Sequence, residues 1–134
     1  MLNRFTLIRY YWYMDCPFCN PSRPVVSSND SAIAIRDAFP VAEGHTLIIP
    51  KEHEPDITKL SSTVYVACFE LVRIVTEHLT EELSPDGFNI GVNIGEAAGQ
   101  TIHHAHIHVI PRFDGDTPSP RGGVRGVIPG KADY

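Results

Sequence analysis

Residues 99–112 read Gly-Gln-Thr-Ile-His-His-Ala-His-Ile-His-Val-Ile-Pro-Arg, and their alternation of histidine with apolar residues predicts an extended strand. Side chains two positions apart on a strand share one face, at a spacing of about 6.6 Å. The imidazoles of His104, His106 and His108 therefore project from one face, and the apolar residues between them pack on the other. His103 falls on the opposite face. The pattern predicts a preformed polar site on rigid backbone.

Such a row of imidazoles supports two kinds of chemistry. His-x-His pairs chelate catalytic metal ions, which would make the three histidines ligands of a metallohydrolase. Alternatively, one imidazole attacks an electrophile while a neighbour handles protons. A histidine with its ordinary pKa of about 6.5 is mostly neutral at pH 7 and thus available as a nucleophile. The spacing by itself is compatible with both metal binding and nucleophilic catalysis.

The rest of the chain predicts an α+β domain. Residues 32–37 and 45–49 have the β-branched or apolar content of strands, and the second of these follows Gly44. Apolar residues recur at helical spacing over residues 62–83, with Ser61 or Ser62 as the N-cap and the third cysteine, Cys68, on the buried stripe. Residues 88–94 and 101–111 predict two further strands. This order favours a mainly antiparallel sheet with a helix on one face.

Composition narrows the class of protein. The chain has 134 residues with 43% hydrophobic and 20% charged residues, which suits a single domain with a real core. The net charge of -5 argues against a partner such as long nucleic acid, which favours a basic surface. Three cysteines do not form a disulfide framework, and Cys16-Pro-Phe-Cys19 suggests a metal clip or a redox pair in a reducing compartment.

The two ends of the chain differ from its middle. Residues 1–13 are apolar and aromatic but too short to span a membrane and without a signal-peptide cleavage site, so we interpret them as an accessory or mis-assigned extension. Residues 14–113 form the predicted domain. Residues 114–134 are rich in Pro, Gly and Arg and predict an arm that orders on contact. Its cations suit a polyphosphate chain, and the alternatives are an arm that reaches a dimer partner and a solvated tail. We expect a cytoplasmic protein without a membrane partner.

The histidine stretch resembles the signature of the histidine-triad (HIT) family, His-φ-His-φ-His-φ-φ with φ apolar. Gly99-Gln100-Thr101 before it and Pro111-Arg112 after it match common forms of the family, and Gly44-His45 resembles the segment of its fourth active-site histidine. Asn93-Ile-Gly95 and Asp37 resemble two further family positions. The resemblance spans residues 16–113. It implies a HIT-like α+β fold, with a five-stranded mainly antiparallel sheet, one long and one short helix, and sheets joined in a homodimer.

The resemblance also implies a two-step displacement on a nucleotide. His106 would attack the α-phosphorus of a small substrate such as diadenosine tetraphosphate, giving a nucleotidyl-histidine that water then hydrolyses. The roles implied for the other residues are phosphate contact for His108 and His45, leaving-group contact for Gln100, phosphate or nearby substrate binding for Thr101 and Asn93, and ribose binding for Asp37. Hydrolysis of an adenosine phosphoramidate, phosphorolysis of a dinucleoside polyphosphate and a non-catalytic nucleotide-binding module are the alternatives.

Some bacterial HIT proteins carry a zinc ion near the triad, and this resemblance extends to a ligand set. The corresponding residues here are Cys16, Cys19, His53 and His104. Two thiolates and two imidazoles satisfy the tetrahedral preference of Zn²⁺, and a closed set of four protein ligands is typical of a structural ion. Zinc would tie the N-terminal segment to the histidine strand.

Overall fold

A five-stranded antiparallel sheet, in the order β1-β2-β3-β5-β4, organises the computed structural model, which describes residues 15–134. The proposed extension, residues 1–13, lies outside these residues. The strands are β1 (Val25–Ser28), β2 (Ala32–Arg36), β3 (Thr46–Pro50), β4 (Gly87–Gly91) and β5 (Ile107–Arg112). One long helix, α1 (Ser62–Leu83), joins β3 to β4, and short 3₁₀ helices span Ile57–Lys59, Glu96–Ala98 and Gly123–Val127. The predicted α+β class is confirmed.

Helix α1 begins and ends where the sequence indicates. The Ser61 side chain accepts a hydrogen bond from the Val64 N–H, which caps the first turn. Ser84 adopts the left-handed conformation and stops the helix. The apolar stripe of α1, including the fully buried Cys68, packs on one face of the sheet, which we call the helix face. Alternate residues of the strands, among them Ile48, Ile107 and Val109, complete that core.

The opposite side of the sheet, which we call the site face, carries the other alternate residues. Ile35, Leu47 and Ile49 form a smaller apolar cluster there, against which Phe18 packs. Residues of β3 therefore alternate between the two faces, with Leu47 and Ile49 on the site face and Ile48 on the helix face. Among the described residues, no helix is long and apolar enough to cross a membrane.

Two predicted strand boundaries are wrong. The strand expected over residues 88–94 is β4, which ends at Gly91. The strand expected from Thr101 begins only at Ile107, because the backbone before it bonds elsewhere: the Ala105 N–H donates to the Glu54 carbonyl over 2.7 Å. The short bulged edge strand β1 has no counterpart among the strands predicted from residue patterns.

Candidate active site

Strand register assembles one group of polar side chains on the site face. Ile35 of β2 pairs with Leu47 of β3, which pairs with His108 of β5. Asp37 and His45 lie just beyond the paired ends of β2 and β3, where the Asp37 N–H donates to the His45 carbonyl over 2.9 Å. Strand register and the alternation of side chains between the two faces thus bring residues far apart in sequence to one point.

His106 is held with one ring nitrogen free. Its Nδ1 lies 2.8 Å from the carbonyl oxygen of His104. A carbonyl only accepts, so Nδ1 carries the proton and Nε2 carries the lone pair. The ring is 7% exposed and contacts Phe18 on one side and His108 on the other, with centroids 5.0 Å away in both cases. An imidazole fixed in this tautomer presents a nucleophilic nitrogen.

A chain of hydrogen bonds fixes the tautomers of His45 and His108 as well. The Val41 N–H donates to Nδ1 of His45, so the proton of that ring sits on Nε2. Nε2 of His45 lies 3.0 Å from Nδ1 of His108 and 3.5 Å from a carboxylate oxygen of Asp37. With His108 accepting at Nδ1, its own proton sits on Nε2. His108 therefore offers an N–H donor beside His106.

Burial keeps these two imidazoles neutral. Burial and, to a smaller extent, the neighbouring His106 and His45 lower the pKa of His108 to about 4, against the opposing effect of Asp37. Burial likewise lowers the pKa of His45 against the effect of Asp37. At neutral pH the pair thus supplies neutral N–H donors and no imidazolium.

A cleft of about 480 Å³ opens in front of His106; we call it the nucleophile cleft. One side is apolar, with Phe18, Ile35 and Leu47, and the exposed ring of Phe39 stands at its rim. The other side is polar; its lining includes Asp37, Thr101, His106 and His108. A volume of this size with few polar groups on an apolar wall is typical of a small-molecule site.

Two cysteines and two histidines meet beside this cleft, in what we call the thiol cluster: Cys16, Cys19, His53 and His104. Their four candidate ligand atoms all lie within 4.8 Å of one another. The Cys19 Sγ is 3.2 Å from Nδ1 of His53, and Nδ1 of His104 is 3.5 Å from the Cys16 Sγ. Bond lengths for zinc predict S···N separations of about 3.6 Å in a tetrahedral site. The cluster can hold a metal ion.

The surroundings of the thiol cluster support that interpretation. Nε2 of the buried His104 lies 2.8 Å from the Pro50 carbonyl, which directs the lone pair of Nδ1 toward the thiols. Burial, together with the hydrogen bond and charge of Cys16, raises the pKa of the Cys19 thiol to about 12. A bound divalent cation would reverse that balance, because a coordinating thiol loses its proton. The donor set fits zinc.

The remaining sequence-predicted site residues are divided. Thr101 lines the nucleophile cleft, whereas Asn93 lines a second cleft on the other side of His108. Gln100 does not reach either cleft: its amide bonds to the backbone of Gly95, Pro55 and Ile102 at 2.8 to 3.1 Å. The buried amide thus holds the loops together, and the expected contact of Gln100 with a leaving group stays a prediction.

Two features of the site were not found from sequence. Phe18 contacts the ring of His106, which its place inside the Cys-x-x-Cys turn did not indicate. The second cleft is bounded by the C-terminal arm, whose sequence shows no strand or helix period. The arm is rich in glycine, and Gly115, Gly122, Gly123 and Gly130 adopt positive φ, which lets the chain fold back on itself.

Comparison with known proteins gives a consistent result. The HIT domain model matches residues 20–115. An adenylylsulfatase of Arabidopsis thaliana is 38% identical over 107 residues, covering 76% of this chain and 54% of that protein. An adenosine 5'-monophosphoramidase of Schizosaccharomyces pombe is 32% identical, covering 74% and 75%. The crystal structure of a zinc-bound histidine triad family protein from Mycobacterium smegmatis is similar at a TM-score of 0.71 and 34% identity, covering 80% and 81%.

Proposed function

The chain belongs to the HIT domain family, and from that premise we propose that it cleaves a dinucleoside polyphosphate, such as diadenosine tetraphosphate, at the α-phosphate through a nucleotidyl-histidine on His106. The observation that carries the proposal is the tautomer of His106. Its Nδ1–H is taken by the His104 carbonyl, so the lone pair of Nε2 is left for the cleft that the ring lines. A nucleophile held in one orientation needs little reorganisation before attack.

The reaction is a double displacement at phosphorus. Nε2 of His106 forms the N–P bond as the bond from phosphorus to the leaving oxygen breaks, and the leaving group departs with that electron pair. The imidazole keeps its proton on Nδ1, facing the carbonyl of His104. Water then attacks the same phosphorus and releases a proton to solvent, while the N–P bond breaks and its electron pair returns to Nε2. The nucleoside monophosphate leaves with His106 regenerated. Most of the catalysis in such transfers comes from positioning and electrostatics.

The neighbouring groups suit the charge that develops on the phosphoryl oxygens. The ring of His108, which carries an Nε2–H donor, lies beside that of His106 with centroids 5.0 Å apart, and the contact with His45 fixes its tautomer. Thr101 offers a hydroxyl donor, and the Asp37 carboxylate offers acceptor oxygens for ribose hydroxyls. The apolar wall with Phe18 suits a nucleobase. The phosphate, ribose and base of one nucleotide would thus contact different parts of the cleft.

A structural Zn²⁺ in the thiol cluster is the second part of the proposal. Cys16, Cys19, His53 and His104 would hold it, and the zinc-bound relative supports this assignment. When bound, the ion supplies cross-linking of the N-terminal segment to the backbone around His104. It takes no part in the displacement.

A second candidate function differs only in the leaving group. Two relatives, an adenylylsulfatase and an adenosine 5'-monophosphoramidase, support adenylyl compounds with a sulfate or an amine in place of a second nucleotide. The nucleophile and the α-phosphate are the same in these reactions. Phosphorolysis would replace the second-step water by phosphate and also uses the same His106.

The metallohydrolase alternative receives no support from the described residues. His104 directs Nδ1 to the thiols, and His106 belongs to neither of the two groups whose geometry suits a metal. The other group, Asp37, His45 and His108, already shares a proton between Nε2 of His45 and Nδ1 of His108. A metal there would need both lone pairs, which the donation from Val41 to His45 opposes.

The test of the proposal is detection of the covalent intermediate. Mixing the protein with diadenosine tetraphosphate or adenosine 5'-monophosphoramidate and quenching it should give an acid-labile adenylyl adduct on His106 by mass spectrometry. His106→Ala should abolish the adduct and lower kcat by about 10⁴-fold or more, as loss of a nucleophile does. The matched control is His103→Ala, because His103 is half exposed and lies outside the cleft. Full activity of His106→Ala would refute the mechanism.

We also propose a homodimer. Strands β1 and β4 are the two edges of the sheet, and helix α1 exposes Tyr65, Val66 and Phe69. Edge strands and exposed apolar residues favour association with a second copy. Sedimentation analysis should give twice the mass of the chain, and a monomer across the micromolar range would contradict the proposal.

A further inference from the structure

A second cleft, of about 540 Å³, lies between the C-terminal arm and strands β4 and β5; we call it the arm cleft. His45 and His108 form part of its lining. Because His108 also lines the nucleophile cleft, the two clefts adjoin at the residue whose N–H faces the reacting phosphate in the proposed function. A substrate bound at His106 therefore has room on both sides of its α-phosphate.

The arm cleft has an excess of positive charge. Arg112 and Arg121 line it, and no Asp or Glu does among the described residues. The charge of Arg112 is already matched, since it donates to Asp116 at 2.6 and 2.7 Å and to Asn89 at 2.6 Å. Arg121 instead donates to the backbone oxygen of Tyr134 and has no side-chain carboxylate partner within residues 15–134. Of the two arginines that line the cleft, Arg121 is thus the one without an Asp or Glu partner among the described residues.

The arm is folded in a way that fixes Arg121. Gly122 has φ +85°, and a Cβ there would lie 2.0 Å from the Ala132 carbonyl, so only glycine permits this close return of the chain. The guanidinium of Arg121 lies over the Tyr134 ring at 4.9 Å, and that of Arg125 lies over the same ring at 5.0 Å. The packing holds Arg121 at the cleft and places Arg125 outside its lining.

We infer that the arm cleft binds the leaving group of the substrate and that this group is anionic and phosphate-bearing, an inference that rests on the proposed function. A guanidinium without a carboxylate partner binds phosphate oxygens well. Around it stand hydroxyls of Thr117 and Ser119 and the amide of Asn93, all able to donate. The volume is sufficient for a second nucleotide. The residues of the arm thus discriminate a polyphosphate substrate from one whose leaving group is a small amine.

The kinetic test compares two substrates with different leaving groups. We expect Arg121→Gln to lower the ratio of kcat/KM for diadenosine tetraphosphate to that for adenosine 5'-monophosphoramidate by about tenfold or more, the effect of losing one charge-assisted contact. Arg121→Lys should restore part of the ratio. The matched control is Arg125→Gln, which removes the same ring contact outside the cleft and should leave the ratio within about twofold. An equal ratio in Arg121→Gln and wild type would overturn the inference.

A binding measurement keeps this inference separate from the proposed function. Inorganic tripolyphosphate should bind the His106→Ala protein in calorimetry, and combining that change with Arg121→Gln should weaken binding by about tenfold. Binding that ignores Arg121 would refute the arm cleft even if turnover is found. Failure of wild type to form the His106 adduct, with Arg121-dependent tripolyphosphate binding retained, would refute the reaction and leave an anion site. Absence of both would reject the two together.

Discussion

His104 and His106 stand two residues apart, yet their imidazoles belong to different chemistry. The Pro50 carbonyl takes the Nε2–H of His104, so its Nδ1 faces two thiols. The His104 carbonyl takes the Nδ1–H of His106, so its Nε2 is left for the cleft. Each ring thus bonds one backbone carbonyl, but through the opposite nitrogen, and this fits the proposed roles of His104 as a metal ligand and His106 as the nucleophile. A repeated motif does not imply a repeated role.

The largest effect should come from breaking the thiol cluster alone. Cys16→Ser removes one of two thiols, so the purified protein should lose its zinc by elemental analysis. The free energy of unfolding should fall by about 4 kcal/mol at a zinc concentration near a thousand times the wild-type Kd, because binding to the folded state is lost. The His106 adduct should still form on the protein that remains folded. Denaturant unfolding measures the contribution of the thiol cluster to stability, and mass spectrometry of the adduct measures the reactivity of His106 separately.

The third cysteine provides the control for that variant. Cys68 is fully buried in the core of α1, 52 positions beyond Cys16 in the sequence and outside the thiol cluster. Cys68→Ala should therefore cost packing stability and keep the zinc. A Cys16→Ser protein that retains zinc and full stability would contradict the assignment of the cluster.

A smaller effect should follow from disturbing the cleft without touching the cluster. Gly44 has φ +80°, and a Cβ there would lie 2.6 Å from Leu83 and 2.9 Å from Leu79, so Gly44→Ala is strained and overpacked. We expect a loss of about 2–3 kcal/mol in unfolding free energy, with zinc retained and turnover reduced as His45 shifts. Gly87→Ala is the matched control, since nothing lies within 4 Å of its added Cβ. Equal stability of the two variants would show that Gly44 is not required.

The sequence predicted the parts of the molecule that depend on local pattern. Helix α1 and its Ser61 cap follow from apolar spacing and one hydroxyl, and the site-face position of His108 follows from strand alternation. The start of β5 could not be predicted in this way, because the Ala105 N–H donates to the distant Glu54 carbonyl and not to a neighbouring strand. An extended segment shows alternating side chains whether or not it is paired in a sheet. The sequence pattern alone therefore does not distinguish a paired strand from an unpaired extended segment.

The candidate site was predictable to the same degree. The meeting of Cys16, Cys19, His53 and His104 agrees with the family pattern, although zinc itself remains a prediction. Gln100 differs because its three amide contacts come from backbone groups up to 45 positions away in sequence. The arm cleft was also hidden, since it depends on a chain return at Gly122 that has no periodic signal.

The smallest effect should be a pH dependence of stability that belongs to the cleft. His108 faces Asp37, His45 and His106, and its pKa in the folded protein is lowered to about 4 from 6.5. Between these values the unfolded chain binds more protons than the folded one, so stability is constant above about pH 6.5 and falls as the pH drops toward 4. Partial exposure of His108 moderates the fall. Guanidinium unfolding at pH 7 and pH 5 should show a smaller drop for His108→Asn than for wild type, whereas His103→Ala, on an exposed ring, should match wild type. An identical drop in His108→Asn and wild type would mean that the imidazole of His108 is not kept neutral by burial.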